Sequence, residues 1–98
     1  MRFEWDPRKA LTNEKKHGLP FEQAITAFDD PWAHVAPDEK HSTLTELRKW
    51  LIGEADSGRI VVIVFTERDH GRLCHLISAR YASRRERRIY EASKRIPF

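Results

Sequence analysis

The sequence predicts an α+β fold with two N-terminal helices, an antiparallel β-sheet meander and a basic C-terminal helix. Three observations support this prediction. Helix boundary residues and helical periodicity dominate residues 6–30, strand-length segments separated by turn residues follow, and an arginine-rich helical segment comes last. A chain of 98 residues has room for one modest hydrophobic core. We therefore predict a single domain spanning residues 1–98.

The N-terminal elements are defined by one alternating segment and by helix boundary residues. Phe3-Glu4-Trp5 alternates apolar and polar side chains and predicts a short first strand. Asp6-Pro7 supplies an N-cap followed by proline at the first helical position, and Gly18 is placed to end that helix after a cationic stretch. Apolar residues recur at helical spacing over residues 21–28, which predicts a second short helix ending near Asp30.

The middle of the chain predicts the antiparallel meander. Residues 32–36 are a weak strand candidate, and residues 37–43 form a polar loop. Strands are then predicted over 47–52, over 60–66 and over 72–79, each separated from the next by glycine-containing turns. The segment 60–66 is the clearest of these strands because it is rich in β-branched residues.

The last helix opens with a capping-box pattern, Ser83-Arg84-Arg85-Glu86, and carries Ile89, Tyr90 and Ala92. Residues 60–65 are apolar at both strand parities, so that strand should be covered on both faces of the sheet. The last helix adds few apolar side chains, with Ile96 as a further candidate. We therefore expect part of this face to remain apolar and available to a partner protein.

The positive charge is concentrated at the C-terminal end. Residues 1–79 hold 11 Lys and Arg against 13 Asp and Glu, whereas residues 80–98 hold 7 against 2, a net charge of +5. Three interpretations stay open for this cluster: contact with a nucleic-acid phosphate backbone, contact with an acidic partner protein, or a solvated helix surface.

Several classes of protein are excluded or disfavoured by composition. The longest apolar run, residues 60–65, is far shorter than the roughly 20 residues of a membrane-spanning helix. Acidic residues interrupt the N-terminal segment where a signal peptide would be apolar, so we expect a cytoplasmic protein. The chain has a single cysteine, Cys74, so it cannot form an internal disulfide and lacks a second cysteine for a zinc site of the usual spacing. We expect Cys74 to be a buried apolar residue.

A series of short motifs covers nearly the whole chain. They are, in order, Phe3-Glu4-Trp5-Asp6, Lys16-His17-Gly18, Phe21-Glu22-Gln23-Ala24, Asp30-Pro31, His41-Ser42, Glu46-x-Arg48, Ile52-Gly53, Val64-Phe65-Thr66-Glu67-Arg68, Ile77-Ser78-Ala79-Arg80 and Glu86-Arg87-Arg88-x-Tyr90. In this order and spacing they resemble the BrnT toxin family. The resemblance implies a RelE-like ribonuclease fold and cleavage of messenger RNA that inhibits translation. One position departs from the family pattern, since His75 stands where relatives commonly have arginine.

The resemblance also implies partners. These are an RNA substrate and a ribbon-helix-helix, BrnA-like antitoxin protein that neutralises the toxin. Operator DNA would be contacted only through the antitoxin complex, and a homodimer of the toxin could form within that assembly. No membrane, metal or cofactor is expected. The alternative function is a non-enzymatic or inactivated basic module that binds a partner protein or nucleic acid, and His75 is the residue that keeps this alternative open.

Four residues are candidates for catalysis. Metal-independent RNA cleavage needs a base for the 2′-hydroxyl, a cation that holds the phosphate and an acid for the leaving oxygen. Arg48 and Arg80 suit the phosphate, and His41 with Glu46 could move protons. Two alternatives stay open: Glu46 and Arg48 could simply form a surface ion pair, and His41 could be merely exposed.

Five further residues are candidates for RNA binding, namely Tyr90, His75, Arg84, Arg87 and Arg88. A base could stack on Tyr90, although packing of its ring onto the sheet is the more common role of such a residue. His75 shares its strand parity with apolar neighbours, so a packed, hydrogen-bonded histidine is its alternative. The three arginines are candidates for contact with phosphate or with an acidic partner rather than for catalysis.

Overall fold

The computed structural model describes residues 1–94 and has the predicted α+β class. The strands are β1 Arg2–Glu4, β2 His34–Pro37, β3 Arg48–Glu54, β4 Ile60–Arg68 and β5 Leu73–Tyr81. The α-helices are α1 Pro7–His17, α2 Phe21–Ala24 and α3 Arg84–Ser93, and two short 3₁₀ helices span Ile25–Asp29 and Glu39–His41. Ile96 and the last part of the C-terminal basic cluster lie outside the described residues.

The five strands form one sheet in the order β1-β5-β4-β3-β2. Strands β2 to β5 pair antiparallel in sequence order, which is the predicted meander. The prediction of a wholly antiparallel sheet is wrong at one edge, because β1 pairs in parallel with β5 and sets Glu4 opposite His75. Residue alternation in a three-residue strand carries no information about its partner, so this pairing depends on tertiary structure.

Helix α1 begins and ends where the sequence predicts. The Asp6 side chain accepts a hydrogen bond from the backbone N–H of Arg8 at 2.8 Å, and Gly18 adopts a left-handed conformation with φ of 69°. The buried Asn13 faces β5, where its side chain accepts from the N–H of Ala79 at 3.1 Å and donates to the carbonyl of the same residue at 2.6 Å. A side chain therefore occupies a part of the β5 edge that β1 does not cover.

The second helix is shorter than predicted. One α-helical turn, α2, is followed by the 3₁₀ helix Ile25–Asp29 rather than by a continuous helix over 21–28. The Thr26 hydroxyl donates to the carbonyl of Gln23 at 2.7 Å, a local bond that favours the tighter geometry. Strand β2 starts two residues later than predicted because the Asp30 carboxylate accepts from the backbone N–H of Trp32 and holds a turn there.

Hydrophobic cores lie on both faces of the sheet, as the apolar strand predicts. On one face, Val61, Ile63 and Phe65 pack beneath α1, α2 and the first 3₁₀ helix. On the other face, Val62 packs with Ile52 and with Tyr90 of α3. The expected uncovered apolar face of β4 is therefore smaller than predicted, and its remaining part is formed by Ile60 and Val64, which are only partly buried. Within residues 1–94, no helix is long and apolar enough to cross a membrane.

Candidate active site

A groove lies on the sheet face that α3 covers only in part. Its volume is about 400 Å³. The residues lining it are Asp38, His41, Trp50, Ile52, Val62, Val64, Arg80, Glu86 and Ile89. Five of these side chains are apolar, and the other four form two polar pairs, His41 hydrogen-bonded to Asp38 and Arg80 ion-paired with Glu86. The groove thus combines an apolar floor with a histidine and an arginine at its rim.

Arg80 is held in the groove by a bidentate ion pair with Glu86. Its two terminal nitrogens donate to the two oxygens of the Glu86 carboxylate at 2.7 and 2.8 Å. Glu86 also accepts from the backbone N–H of Ser83 at 2.8 Å and so completes the predicted capping box of α3. The hydrogen bonds from Arg80 lower the pKa of Glu86 to about 2, and the same pair raises the pKa of Arg80. Both groups are charged at neutral pH.

We expect the Arg80–Glu86 pair to stabilise the fold at neutral pH and to lose this effect in acid. Since the pKa of Glu86 lies below its ordinary value of 4.5, the stabilisation is complete above that pH and disappears as pH falls towards 2. Glu86→Gln should lower the free energy of unfolding at pH 7 by about 1–2 kcal/mol, a figure reduced for solvent screening. Urea titrations across this pH range test it, with Glu91→Gln on the same helix as control. Parallel pH profiles for the wild type and Glu86→Gln would contradict it.

His41 lies in the 3₁₀ turn of the polar loop and faces Asp38. Its Nδ1 lies 3.0 and 3.1 Å from the two Asp38 oxygens. An ionised carboxylate only accepts hydrogen bonds, so Nδ1 carries a proton and Nε2 is the ring nitrogen available to another molecule. The side chain of His41 is 58% exposed, whereas that of Asp38 is 14% exposed. This arrangement can orient an imidazole that accepts or donates a proton.

Arg48 and Glu46 contact each other just outside the groove. Arg48 Nε donates to a Glu46 oxygen at 2.9 Å, which is the ion pair that the sequence left as an alternative to catalysis. Strand register sets Arg48 opposite Thr66, and Thr66 opposite His75. Arg48 and Trp50 are two residues apart in β3, so their side chains leave the strand on the same face of the sheet. The structure therefore brings His41 and Arg80 into one groove and leaves the Arg48–Glu46 pair beside it.

His75 lies further along this row and belongs to a separate polar cluster. Its Nδ1 contacts a Glu4 carboxylate oxygen at 2.5 Å, and Arg68 contacts the same oxygen at 3.0 Å. The His75 side chain is 20% exposed. His75 is thus a largely covered, hydrogen-bonded histidine, and it does not line the groove.

Tyr90 is buried and does not offer its ring to a base. Its relative exposure is 0%, and its hydroxyl donates to the Asp30 carboxylate at 2.5 Å. Burial and the bond to Asp30 raise the pKa of Tyr90. Burial alone would raise the pKa of Asp30, but the hydrogen bonds from Tyr90, Glu54 and Trp32 outweigh it and lower that pKa. The stacking hypothesis for Tyr90 is corrected accordingly, because its ring packs onto Ile52 and Val62.

The arginines of α3 lie away from the groove floor. Arg84, Arg87 and Arg88 line a shallow cleft of about 410 Å³ together with Glu91 and Ala92. Within residues 1–94, none of these three arginines forms an ion pair. Cations in the first turns of a helix also oppose its dipole, so these side chains do not favour the helix that carries them. They are available to an anionic partner.

Sequence reasoning missed several residues of the site. The sequence places Asp38 only within a polar loop. An acidic residue three positions before a histidine in a tight turn nevertheless indicates that the two side chains can contact each other. Trp50 lies in the predicted strand over 47–52, and nothing local in the sequence shows that it faces a groove. In the part of the chain that is described, no three His, Cys, Asp or Glu side chains lie together in a way that could hold a metal ion.

The fold and the groove define the class of a small α+β protein with a cationic, partly apolar site and an arginine-rich helix. A family described as the ribonuclease toxin BrnT of type II toxin-antitoxin systems matches residues 5–86. The chain therefore belongs to the BrnT family of ribonuclease toxins, as the motif series predicts.

The fold is also similar to a solved structure. The match is the crystal structure of the Brucella abortus ribonuclease toxin BrnT, with a TM-score of 0.61 and 29% sequence identity. It covers 86% of this chain and 99% of that one. A search of curated proteins finds no match. The likeness to RelE stays a prediction.

Proposed function

We propose that this protein is an endoribonuclease that cuts messenger RNA in the groove without a metal or cofactor and thereby inhibits translation in the cytoplasm. The observation that carries the proposal is the convergence of two oriented groups, His41 on Asp38 and Arg80 on Glu86, on one groove. They occur in a chain that belongs to a family of ribonuclease toxins.

The two groups supply different parts of the reaction. In RNA the 2′-oxygen attacks the adjacent phosphorus, its proton leaves, and the bond from phosphorus to the 5′-oxygen breaks as that oxygen gains a proton. His41 Nε2 is suited to take or give one of these protons. Arg80 is suited to hold the phosphate oxygens, on which negative charge grows in the transition state. Bonding of Asp38 and Glu86 to these residues fixes their orientation in advance.

The neighbouring candidates take supporting roles in this proposal. Arg48 contributes a second cation beside the groove, and Glu46, as its partner, fixes the orientation of Arg48. His75 is largely covered, so a contact with RNA would involve only its exposed edge, outside the groove. Arg84, Arg87 and Arg88 attract the phosphate backbone and position the substrate.

The test is cleavage of RNA by the purified protein in the presence of EDTA. We expect cleavage, and we expect His41→Ala to lower its rate about 100-fold or more, since a positioned acid or base contributes about 10²–10⁴. The control is His17→Ala, at the end of α1 and outside the groove. Full activity of His41→Ala would remove His41 from the mechanism. Binding of RNA with no cleavage by the wild type would favour the non-enzymatic alternative.

Replacement of an arginine of α3 is expected to affect RNA binding. Arg87→Ala should weaken RNA binding mildly and should lower the slope of log affinity against log salt concentration by about one, because one phosphate contact is lost. Lys15→Ala on α1 changes the net charge equally and serves as the control. Fluorescence anisotropy at a series of salt concentrations measures both. An unchanged slope in Arg87→Ala would assign these arginines to another partner.

We further propose that a ribbon-helix-helix antitoxin neutralises the protein, and that operator DNA is contacted only through that complex, within which the toxin could dimerise. The chain exposes several large apolar side chains that a partner protein could cover. Those on the sheet and loop side are Val35, Leu44, Leu47 and Ile89. Acidic residues of the antitoxin would meet the unpaired arginines of α3 and accelerate association. Hydrogen exchange of residues 34–93 with and without antitoxin measures this coverage.

A further inference from the structure

The groove has features that the cleavage chemistry alone does not use. Its floor is formed by apolar side chains, with Trp50 and Val64 from the strands and Ile89 from α3. Ile89 is 41% exposed, although apolar side chains on the sheet-facing side of a helix are usually covered. Phosphates and riboses gain nothing from such a floor, because phosphate oxygens bind to cations and hydrogen-bond donors.

Trp50 offers a flat surface and an unused hydrogen-bond donor. It lies in the middle of β3 and is partly buried, and its ring lies 5.5 Å from that of His34 at an interplanar angle of 35°. Within residues 1–94, no atom accepts a hydrogen bond from its indole N–H. A buried or half-buried indole N–H usually has a partner. A nucleotide would satisfy both the surface and the donor: its base would cover the ring face, and an oxygen of its ribose or phosphate would accept a hydrogen bond from the N–H.

We propose that the floor of the groove binds one unpaired nucleobase, stacked against Trp50, and that the protein consequently acts on single-stranded RNA. This proposal rests on the proposed ribonuclease function and names the form of its substrate. Arg80 and His41 line the same groove and suit the phosphate and the ribose of a nucleotide. The volume of about 400 Å³ is within the usual range for small-molecule pockets. The groove therefore suits a nucleotide in size and in chemistry.

The selection of single strands follows from stacking of the base on the groove floor. A base in a duplex is stacked and paired, so it reaches a pocket only after both interactions are broken. A base in a single strand is free to leave its neighbours and stack on an aromatic side chain. Base stacking tolerates different sequences, because every base has a flat face.

The test uses binding of short oligonucleotides that cannot be cut. The probe is a 2′-O-methyl RNA single strand, compared with the same strand annealed to its complement and with an abasic strand of equal charge. We expect the single strand to quench tryptophan emission and to bind at least tenfold more tightly than either competitor. Trp50→Phe should remove most of the quenching, and Trp50→Ala should weaken binding about tenfold or more.

Two further variants keep the result interpretable. Trp5→Phe is the matched aromatic control, because Trp5 packs against Phe21 with the core on the opposite face and should bind like the wild type. Ile89→Ala tests the same floor at an exposed position that is not needed for folding, and we expect severalfold weaker binding. Circular dichroism confirms that each variant is folded.

The outcomes separate this proposal from the proposed function. Equal binding of the intact and abasic strands, or wild-type affinity in both Trp50→Ala and Ile89→Ala, overturns the base site even if the protein cuts RNA. Quenching by the single strand that depends on Trp50 supports the base site even if no RNA is cut. An abasic strand bound as tightly as the intact strand would instead favour a partner protein as the occupant of the floor.

Discussion

Arg80→Ala is expected to reduce RNA cleavage about 10²–10³-fold and to relieve growth inhibition, because it removes the proposed phosphate-binding group of the groove. The guanidinium of Arg80 has five N–H donors, and its bidentate contact with Glu86 uses two of them. The remaining donors can bind phosphate oxygens. Cleavage rates at saturating RNA, together with growth on induction, measure the effect.

Arg80→Lys separates charge from geometry. Lysine keeps the positive charge but not the planar fork, so we expect it to recover only a small part of the activity. Because Arg80 also contacts the cap of α3, folding must be measured by circular dichroism in parallel. Full toxicity of both folded variants would show that another cation, with Arg48 as the first candidate, holds the phosphate.

Replacement of Tyr90 is expected to have the largest effect on stability. The side chain is fully buried, so Tyr90→Ala should lower the free energy of unfolding by about 3–5 kcal/mol. That is a large part of the roughly 5–15 kcal/mol that stabilise a typical domain. Tyr90→Phe keeps the ring and leaves Asp30 without its hydroxyl donor, so it should cost about 1–3 kcal/mol. Urea denaturation followed by circular dichroism measures both values.

Tyr90→Phe also tests the role of Tyr90 in RNA binding. Since the ring is covered, a folded Tyr90→Phe protein should bind and cut RNA within about twofold of the wild type. Loss of RNA binding with unchanged stability would restore the stacking hypothesis for this residue.

The parts of the fold that local chemistry determines could be predicted from the sequence. Asp6-Pro7 and Gly18 mark the ends of α1, and the Ser83–Glu86 pattern opens α3, because each cap is formed within a few residues. The parallel partner of β1 could not be predicted, since Glu4 and His75 are joined only by the tertiary fold. The change to 3₁₀ geometry in the second helix occurs where the Thr26 hydroxyl donates to the carbonyl of Gln23, a contact that hydrophobic periodicity does not predict.

The candidate site, like the fold, could be predicted only in part from the sequence. Arginine at 80 and histidine at 41 could be proposed from residue chemistry and family resemblance, and the structure sets both on one groove. Glu86 and Tyr90 lie about one helical turn apart, a spacing that by itself predicts a shared helix face. In the structure one lines the groove and the other is buried in the core. That difference depends on how closely α3 approaches the sheet, which no local pattern specifies.

The order of elements has a consequence for synthesis of the protein on the ribosome. Helix α3, which carries Glu86 and one wall of the groove, follows all five strands in the chain. Strand β1 likewise cannot pair until β5 has been synthesised. A nascent chain therefore has no completed sheet until β5 has left the exit tunnel, and no complete groove until α3 has left it as well. We expect the RNA under translation not to be cut by a chain whose α3 has not yet emerged.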